Sequence, residues 1–395
     1  MYSAAAERMS FAPSSGATAR TYTVEVVERW QDLEAQVAAW DELAGTAVEP
    51  NPFFSAGAVL AAMRHLRPEG EPAFLVVRGS DASSPGKAPI WCGFFPFFRH
   101  RTYRGLPIRN LRLLKHDYCF LRVPLVRAAC AEDVLARVFT WLDASGSAIV
   151  ELGDQAGEGA YADALGALLR RRALNAPSSS SHARALLLRS DTADAYLSEA
   201  VSGGKLKELR RQQRRLSEKG ELKIESLEPT GDVETAITEF LALERAGWKG
   251  AQGTAMSCRP ADREFFADLV RGAFNAGRLQ MITMRLDGRP VAMKCNLLAP
   301  PGSFSFKIAY AEELAQYSPG VLLELENIRR LHAEARVQWM DSCAVPGHPM
   351  IERLWKEQRL IQSWVIPLGP FGRLATTVLA LGQRLVRGRA LSVQP

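Results

Sequence analysis

The residues best suited to chemistry lie in the second half of the chain. Tyr317-Ser318-Pro319-Gly320-Val321 follows a β-rich run and opens an amphipathic stretch. Proline fits the first helical turn, glycine lets a ligand approach the backbone, and serine suits the N-cap. The first N–H groups of a helix have no intrahelical acceptor, so this pattern offers a phosphate site; the plain alternative is a capped helix and nothing more. Just upstream, Lys307, Ile308 and Tyr310 lie on a strand. Strict alternation puts Phe304, Phe306 and Ile308 on one core-like face and Lys307 and Ala309 on the other. Lys307 and Tyr310 then point apart unless a bulge intervenes. Lys307 is either a contact for an anionic acceptor or cofactor group, or an exposed strand lysine.

Two carboxylates are candidates for proton transfer. Asp341 ends the strand Val337 to Met340, where ligands of α/β sheets sit. It either accepts or orients the proton of an attacking ammonium, or caps the turn before Pro346-Gly347. Glu244 stands four residues before Trp248, on one helical face, with Lys249 next to it. These three form either one wall of an acceptor pocket, with Glu244 as second base, or a surface glutamate above a core tryptophan. A third feature is the run Lys205 to Arg215. Lys207, Arg210, Arg211, Arg214 and Arg215 make a cationic helix face over an apolar stripe of Leu206, Leu209 and Leu216. Crowded like charges call for an anion: coenzyme phosphates, an acidic carrier protein, tRNA or anionic lipid. The absence of interleaved aromatics weakens the nucleic-acid reading, and a solvated face is the plain alternative.

The elements that must position these groups follow from pattern. At 395 residues, with 47% apolar and 23% charged residues, the chain is globular and long enough for two or three domains. A net charge of +6 is a mild bias toward anionic partners. The six cysteines are scattered without a C-x-x-C pair, which suits reduced thiols in a cytoplasm. No secretory leader or membrane span is apparent. The histidines show no metal spacing, and neither a G-x-S-x-G motif nor a complete P-loop occurs. We expect no metal.

The domains expected are a disordered leader (1–20), a first α/β unit (21–177), a second (178–370) and a basic amphipathic tail (371–395). In the second unit, β-rich runs Leu279 to Leu286 and Pro290 to Leu298 flank Asp287-Gly288-Arg289, a tight-hairpin signal. A strand Phe304 to Tyr310, a helix Val321 to His332, a strand Val337 to Cys343, a short helix Met350 to Gln358 and a strand Leu360 to Ile366 follow. The first unit repeats the order: a hairpin from Phe74 to Phe98, strand Tyr118 to Val126, helix Ala131 to Leu142, strand Ala148 to Leu152, helix Tyr161 to Leu174, strand Ala183 to Arg189. Helices Trp30 to Leu43 and Phe54 to Leu66 precede the first hairpin, and Asp232 to Ala246 and Asp262 to Ala276 the second. This predicts a duplicated α/β unit with mixed sheets. The tail carries Arg373, Arg384, Arg387 and Arg389 with Leu374, Val378, Leu381 and Leu385 on one stripe. It is either an interfacial helix at a membrane surface or a disordered end.

The layout of a strand, two helices, a hairpin, a strand, a helix and a strand resembles GNAT acyltransferases, and its duplication resembles tandem FemAB-like transferases. The segments Lys205 to Leu216, Leu243 to Gly250, Asp287-Gly288-Arg289-Pro290-Val291-Ala292, Lys307-Ile308-Ala309-Tyr310, Tyr317-Ser318-Pro319-Gly320 and Asp341-Ser342 together resemble the CelD-like branch, associated with cellulose and exopolysaccharide biosynthesis. The resemblance spans about residues 51–366. It implies a cytoplasmic N-acyltransferase with acyl-CoA, acetyl-CoA foremost, as co-substrate. The diphosphate would sit at Tyr317, Ser318, Pro319, Gly320 and Val321, with the backbone of the strand at Ile308 along the thioester arm. Lys307, Tyr310, Trp248 and Lys249 would meet an amine acceptor, and Arg210, Arg211 and Arg214 a phosphate or partner. Other classes are a FemAB-like aminoacyl transferase using charged tRNA and a non-catalytic scaffold of a polysaccharide-secretion complex. An acyl carrier protein as partner and peripheral membrane contact through the tail are further expectations.

Overall fold

The computed structural model describes residues 9–11, 20–81, 88–174, 176 and 178–379. In chain order the elements begin with strands β1 (Met9–Phe11) and β2 (Arg20–Val27) and helices α1 (Val37–Gly45) and α2 (Ala56–His65). Strands β3 (Glu71–Asp81), β4 (Ile90–His100), β5 (Asn110–Leu113) and β6 (Leu125–Val126) follow. Then come α3 (Ala131–Ala144), β7 (Ile149–Ala156), α4 (Ala160–Arg171) and β8 (Ser178–Leu188). Next are α5 (Ala193–Ala200), α6 (Gly203–Ser217), β9 (Leu222–Ser226), α7 (Val233–Ala246), α8 (Trp248–Ala251) and α9 (Pro260–Asn275). The series ends with β10 (Leu279–Leu286), β11 (Arg289–Ala299), β12 (Gly302–Tyr310), α10 (Pro319–Ala333), β13 (Trp339–Asp341) and β14 (Glu357–Pro367). One more helix covers residues 369–379.

The elements form two compact units, neither contiguous in sequence. Unit 1 takes the chain up to Phe54, Pro68–Ser181 and everything from Ile361 on; unit 2 takes Ser55–Arg67 and His182–Leu360. In unit 1 the strands run in the order β1-β2-β3-β4-β5-β7-β14, with β6 beside β4. All neighbours are antiparallel except β5 and β7. Unit 2 runs β8-β13-β12-β11-β10-β9, antiparallel except for β12 and β13. Each unit is thus a mixed α/β sheet with a single parallel pair at the same point of the plan. The terminal strands are exchanged relative to sequence order. β8, expected to complete the first unit, pairs with β13, and β14, expected to complete the second, pairs with β7.

Local signals explain most of the elements. Asp287 and Gly288 have φ of 49° and 78°, the left-handed pair that a two-residue hairpin needs, and they join β10 to β11. α7 is capped by Asp232, whose side chain accepts the N–H groups of Glu234 and Thr235 at 3.0 and 3.1 Å. α9 begins on Pro260, in the first-turn position that tolerates proline. The core of unit 1 is aromatic: Trp40 of α1 stands 4.2 Å from Phe94 and 5.8 Å from Trp91 of β4, centroid to centroid. The indole N–H of Trp40 donates to the Phe54 carbonyl at 2.9 Å, which removes the cost of burying it. In unit 2, Phe240 of α7 and Phe306 of β12 both stack on Phe266 of α9, at 4.9 and 6.4 Å.

Several expected elements differ. Residues 118–124 are not strand. The chain from Leu114 to Pro124 is an irregular connection whose Leu114, Leu121 and Val123 are fully buried, so its apolar residues follow no alternation. The third strand of unit 1 is β5 instead. The expected helix over Trp30 to Leu43 is a 3-10 turn through Gln36 followed by α1. The expected short helix over Met350 to Gln358 is only a turn at Ile351–Arg353. The expected disordered leader contains β1, paired with β2; most of that leader, the tip of the first hairpin and residues 380–395 of the tail lie outside the described residues.

α2 packs against α9 within unit 2, where a glycine on each helix brings the backbones together. A Cβ on Gly272 would stand 3.2 Å from the Cα of Gly57. A larger side chain must push the helices apart. Gly272→Leu is expected to lower stability by about 1–3 kcal/mol, read as a lower melting temperature and urea midpoint.

Candidate active site

β12 organises the candidate site. Its parallel ladder with β13 covers only Gly302 to Phe304 opposite Trp339 to Asp341. β12 then runs on to Tyr310 while β13 ends, so the two strands part after Phe304 and Asp341. The ladder with β11 slips at Cys295/Asn296: Asn296 pairs with Ser305 and Cys295 with Lys307, which leaves Phe306 as the extra, bulged residue. The bulge corrects the simple alternation expected for this strand. Phe306 and Lys307 both turn toward α7 and α9, where Phe306 meets Phe266 and Lys307 meets Glu244. Tyr310 faces the start of α10, and Ile308, an even step from it, shares that face. Lys307 and Tyr310 therefore remain on opposite faces.

On the α7 side, three charged groups converge. Glu244 is buried; its Oε1 accepts from Lys249 Nζ at 3.2 Å and Lys307 Nζ at 3.4 Å, and its Oε2 accepts the Met256 N–H at 2.8 Å. Lys249 Nζ also donates to the Ile308 carbonyl at 3.2 Å, which ties α8 to β12. Burial pushes the Lys307 ammonium below its ordinary pKa; Glu244 opposes the shift and Lys249 adds to it. Two ammoniums share the Glu244 carboxylate, and the buried Asp262 also favours the charged form of Lys307. Glu244 and Trp248 do not share a helix face. α7 stops at Ala246, Gly247 is extended, and Trp248, 48% exposed, starts the separate turn α8 with Lys249 Nζ 5.9 Å from its ring centroid. Glu244 points inward and Trp248 outward.

Asp341 is fully buried on β13. Its Oδ2 receives Arg184 of β8 at 2.6 Å and Arg359 at 2.9 Å, and its Oδ1 accepts the Cys343 N–H at 2.9 Å. Burial alone raises the pKa of a carboxyl, but the two guanidiniums outweigh it and hold Asp341 below the ordinary aspartate value. A carboxylate so held is a poor proton acceptor, so Asp341 is an anchor, which corrects its expected role as first-choice base.

At the other end of the opening lies α10. Ser318 precedes it with φ 52° and ψ 49°, left-handed, and its hydroxyl makes no capping bond, unlike the cap expected from sequence. Pro319 occupies the first turn, and no acidic residue lies there. The N–H groups of Gly320 and Val321 have no intrahelical acceptor. The ring of Tyr310 packs on Gly320, where a Cβ would stand 3.1 Å from its Cδ1. Tyr317 ends the 3-10 turn Glu312–Tyr317 that leads into Ser318. α6 packs on this turn and on α10. Its Arg210, Arg211 and Arg214 are exposed; Arg211 pairs with Glu208 at 2.7 Å and Arg214 with Glu218 at 3.6 Å. The equivalent helix of unit 1, α3, carries Glu132 and Asp133 in its first turn, which repel an anion.

Sequence reasoning missed a second buried network. Lys294 of β11 and Glu324 of α10 are both fully buried and paired at 2.7 Å. Lys294 also donates to Ser305 Oγ at 2.7 Å, and Glu324 accepts from Asn327 at 2.7 Å and Trp355 at 3.2 Å. The available signal was a lysine inside the apolar run Val291 to Leu298 and a glutamate on the apolar stripe of α10. Among the described residues, no group of His, Cys, Asp or Glu is arranged to hold a metal, and no helix is long and apolar enough to cross a membrane.

Residues 204–347 match the family of GNAT acetyltransferase domains. That stretch holds β12, its bulge, the parting from β13 and the start of α10. Among solved structures the chain is similar to FemX, with 10% identity, a TM-score of 0.56 and coverage of 86% of this chain and 98% of that one. It is also similar to the C-terminal domain of a protein named as a lysylphosphatidylglycerol synthetase from Agrobacterium fabrum. There the identity is 14%, the TM-score 0.50, and the coverage 89% of this chain and 96% of that one. At such identities the likeness is one of fold. A comparison with curated proteins gives no match.

The anchoring of Asp341 makes a checkable demand. Asp341→Asn leaves Arg184 and Arg359 buried beside a neutral group and is expected to cost about 3–5 kcal/mol in urea unfolding. Because the folded pKa of Asp341 lies below the unfolded one, its contribution is complete above about pH 4 and is lost as pH falls through the folded value. The variant should lose that part of the acid dependence.

Proposed function

We propose that unit 2 is an acyl-CoA-dependent N-acyltransferase, with unit 1 a partner that does not bind the cofactor. The observation that carries this is the parting of β12 from β13, which leads to a helix start that has glycine and no acid in its first turn. The GNAT match over residues 204–347 supports the same reading. The diphosphate of the donor rests on the N–H groups of Gly320 and Val321, beside Tyr317, Ser318 and Pro319. The pantetheine arm follows β12 past Ile308, and backbone N–H groups of that strand polarise the thioester carbonyl. The acidic first turn of α3 and the buried connection 114–124 speak against a second donor site in unit 1.

The acceptor enters from the α7 face. Lys307 and Lys249, held by Glu244, bind an anionic group on it beside Trp248, while Tyr310, on the opposite face, lines the donor corner at Gly320. The amine nitrogen forms a bond to the thioester carbon and the carbon–sulfur bond breaks. The surplus ammonium proton passes through water to the leaving thiolate, since Asp341 is held by two arginines and Glu244 by two lysines. Holding the two substrates together lowers the barrier by up to about 7–11 kcal/mol. The resemblance to CelD-like proteins makes an amino-sugar precursor of surface polysaccharide the acceptor to try first. A second reading, aminoacyl transfer from charged tRNA, rests on the basic face of α6 beside the donor corner. It predicts that RNA, and not acetyl-CoA, raises the melting temperature.

Two measurements test the main reading. Gly320→Trp drives a ring into Tyr310 and the helix start. It should abolish acetyl-CoA binding in calorimetry while the fold persists; unchanged binding would count against the donor site. Lys307→Met should raise the acceptor KM by about ten- to a hundredfold, the worth of a charged hydrogen bond, and leave the donor KM unchanged.

A further inference from the structure

The helix over residues 369–379 carries two faces. Its inner face seats on unit 1. Ala375 and Leu379 pack with Tyr103, Ile108, Ala148 and Ile149, and a Cβ on Gly372 would fall 2.0 Å from the Ala148 carbonyl oxygen, so the helix lies tight on that strand end. Its outer face is apolar as well. Phe371, Leu374 and Val378 are 63%, 62% and 55% exposed. At 3.6 residues per turn they fall within about 60° of each other, and the seated side begins about 40° beyond Phe371 at Ala375. The loop that supplies Tyr103 and Ile108 to the seat adds to the same neighbourhood. Tyr103 and Leu106 exchange backbone hydrogen bonds at 2.9 and 3.0 Å across Arg104 and Gly105, both left-handed, and the turn presents Leu106, 43% exposed.

The charges around these apolar groups are mostly cationic: Glu151 near Tyr103 is paired with Arg112, and Glu71 with Arg101. Arg104, Arg109 and Arg373 are exposed, and after Glu357 the sequence contains no acidic residue while Arg384, Arg387 and Arg389 follow. An apolar helix face turned outward, with arginines in excess around it, matches an anionic lipid surface, with side chains in the acyl boundary and guanidiniums at the phosphates. A protein partner would require acidic complements around an apolar patch; a bilayer supplies both at once.

We propose that the face formed by Phe371, Leu374, Val378 and the Leu106 turn docks the protein reversibly on an anionic membrane. The proposal is independent of the acyl-transfer reading. A few apolar side chains give weak partitioning alone, so binding needs the lipid charge too.

The experiment is co-sedimentation of the full chain with vesicles of phosphatidylcholine, with and without phosphatidylglycerol. The protein is expected to pellet only with phosphatidylglycerol, and less as salt is raised. The variant with Phe371→Ser, Leu374→Ser and Val378→Ser should lose about tenfold or more of its partitioning at an unchanged melting temperature. The pair Arg104→Glu and Arg373→Glu should weaken binding without touching the apolar face. The proposal is overturned if the wild-type chain stays in solution with both vesicles, or if neither variant changes pelleting. It is equally overturned if the apolar variant instead dissociates a dimer seen by light scattering while vesicles have no effect.

Discussion

A carboxylate cannot lie charged in a protein interior without partners, and Asp341 finds both of its cations on the side away from β12. Arg184 and Arg359 close on its Oδ2 and fix the end of β13 to β8. With that end held, β12 continues beside β11 but without β13, and the opening between the strands exists because their ladder stops there. The other lip is fixed in the same manner. Lys294 and Glu324 join β11 to α10 through a fully buried ion pair, with Ser305 of β12 as a third member. Such pairs are weak sources of net stability, and their usual benefit is a unique arrangement. Here they tie the end of β13 to β8 and the body of α10 to β11.

The two units show what a shared plan leaves free. Both place one parallel strand pair in an otherwise antiparallel sheet and follow the strand with a helix. In unit 2 that helix starts with proline and glycine, bare of acid. In unit 1 it starts behind Cys130 with two carboxylates in the first turn, and the chain before it runs through the buried Leu114, Leu121 and Val123. Similar plans thus differ in the electrostatics of a single turn.

Most of unit 2 was legible in the sequence. The Asp287-Gly288 turn, the stripe of α10 and the runs of β10, β11 and β12 obey local rules, and the structure reproduces them closely. Three kinds of information were not local. The bulge at Phe306 depends on the register with β11, and it brings Phe306 onto the same face as Lys307. The bond partners of Asp341 come from positions 184 and 359, far apart in sequence and with no motif to announce them. The destination of β8 and β14 is a matter of pairing, and each carries an ordinary strand pattern compatible with either sheet. In unit 1 the buried connection 114–124 misled the reading because a segment enclosed on all sides looks like a strand when only its apolar content is seen.

The exchange of the closing strands has a consequence for how the molecule is made. A ribosome delivers the first strands of unit 1 early, yet the strand that lies beside β7 and the helix seated on Tyr103 arrive only after all of unit 2 has been synthesised. Until then β7 waits with an open edge, and α2 waits for α9, more than two hundred residues downstream. The half that is translated first is the half that matures last, and a cut anywhere between the two would leave both pieces unfinished.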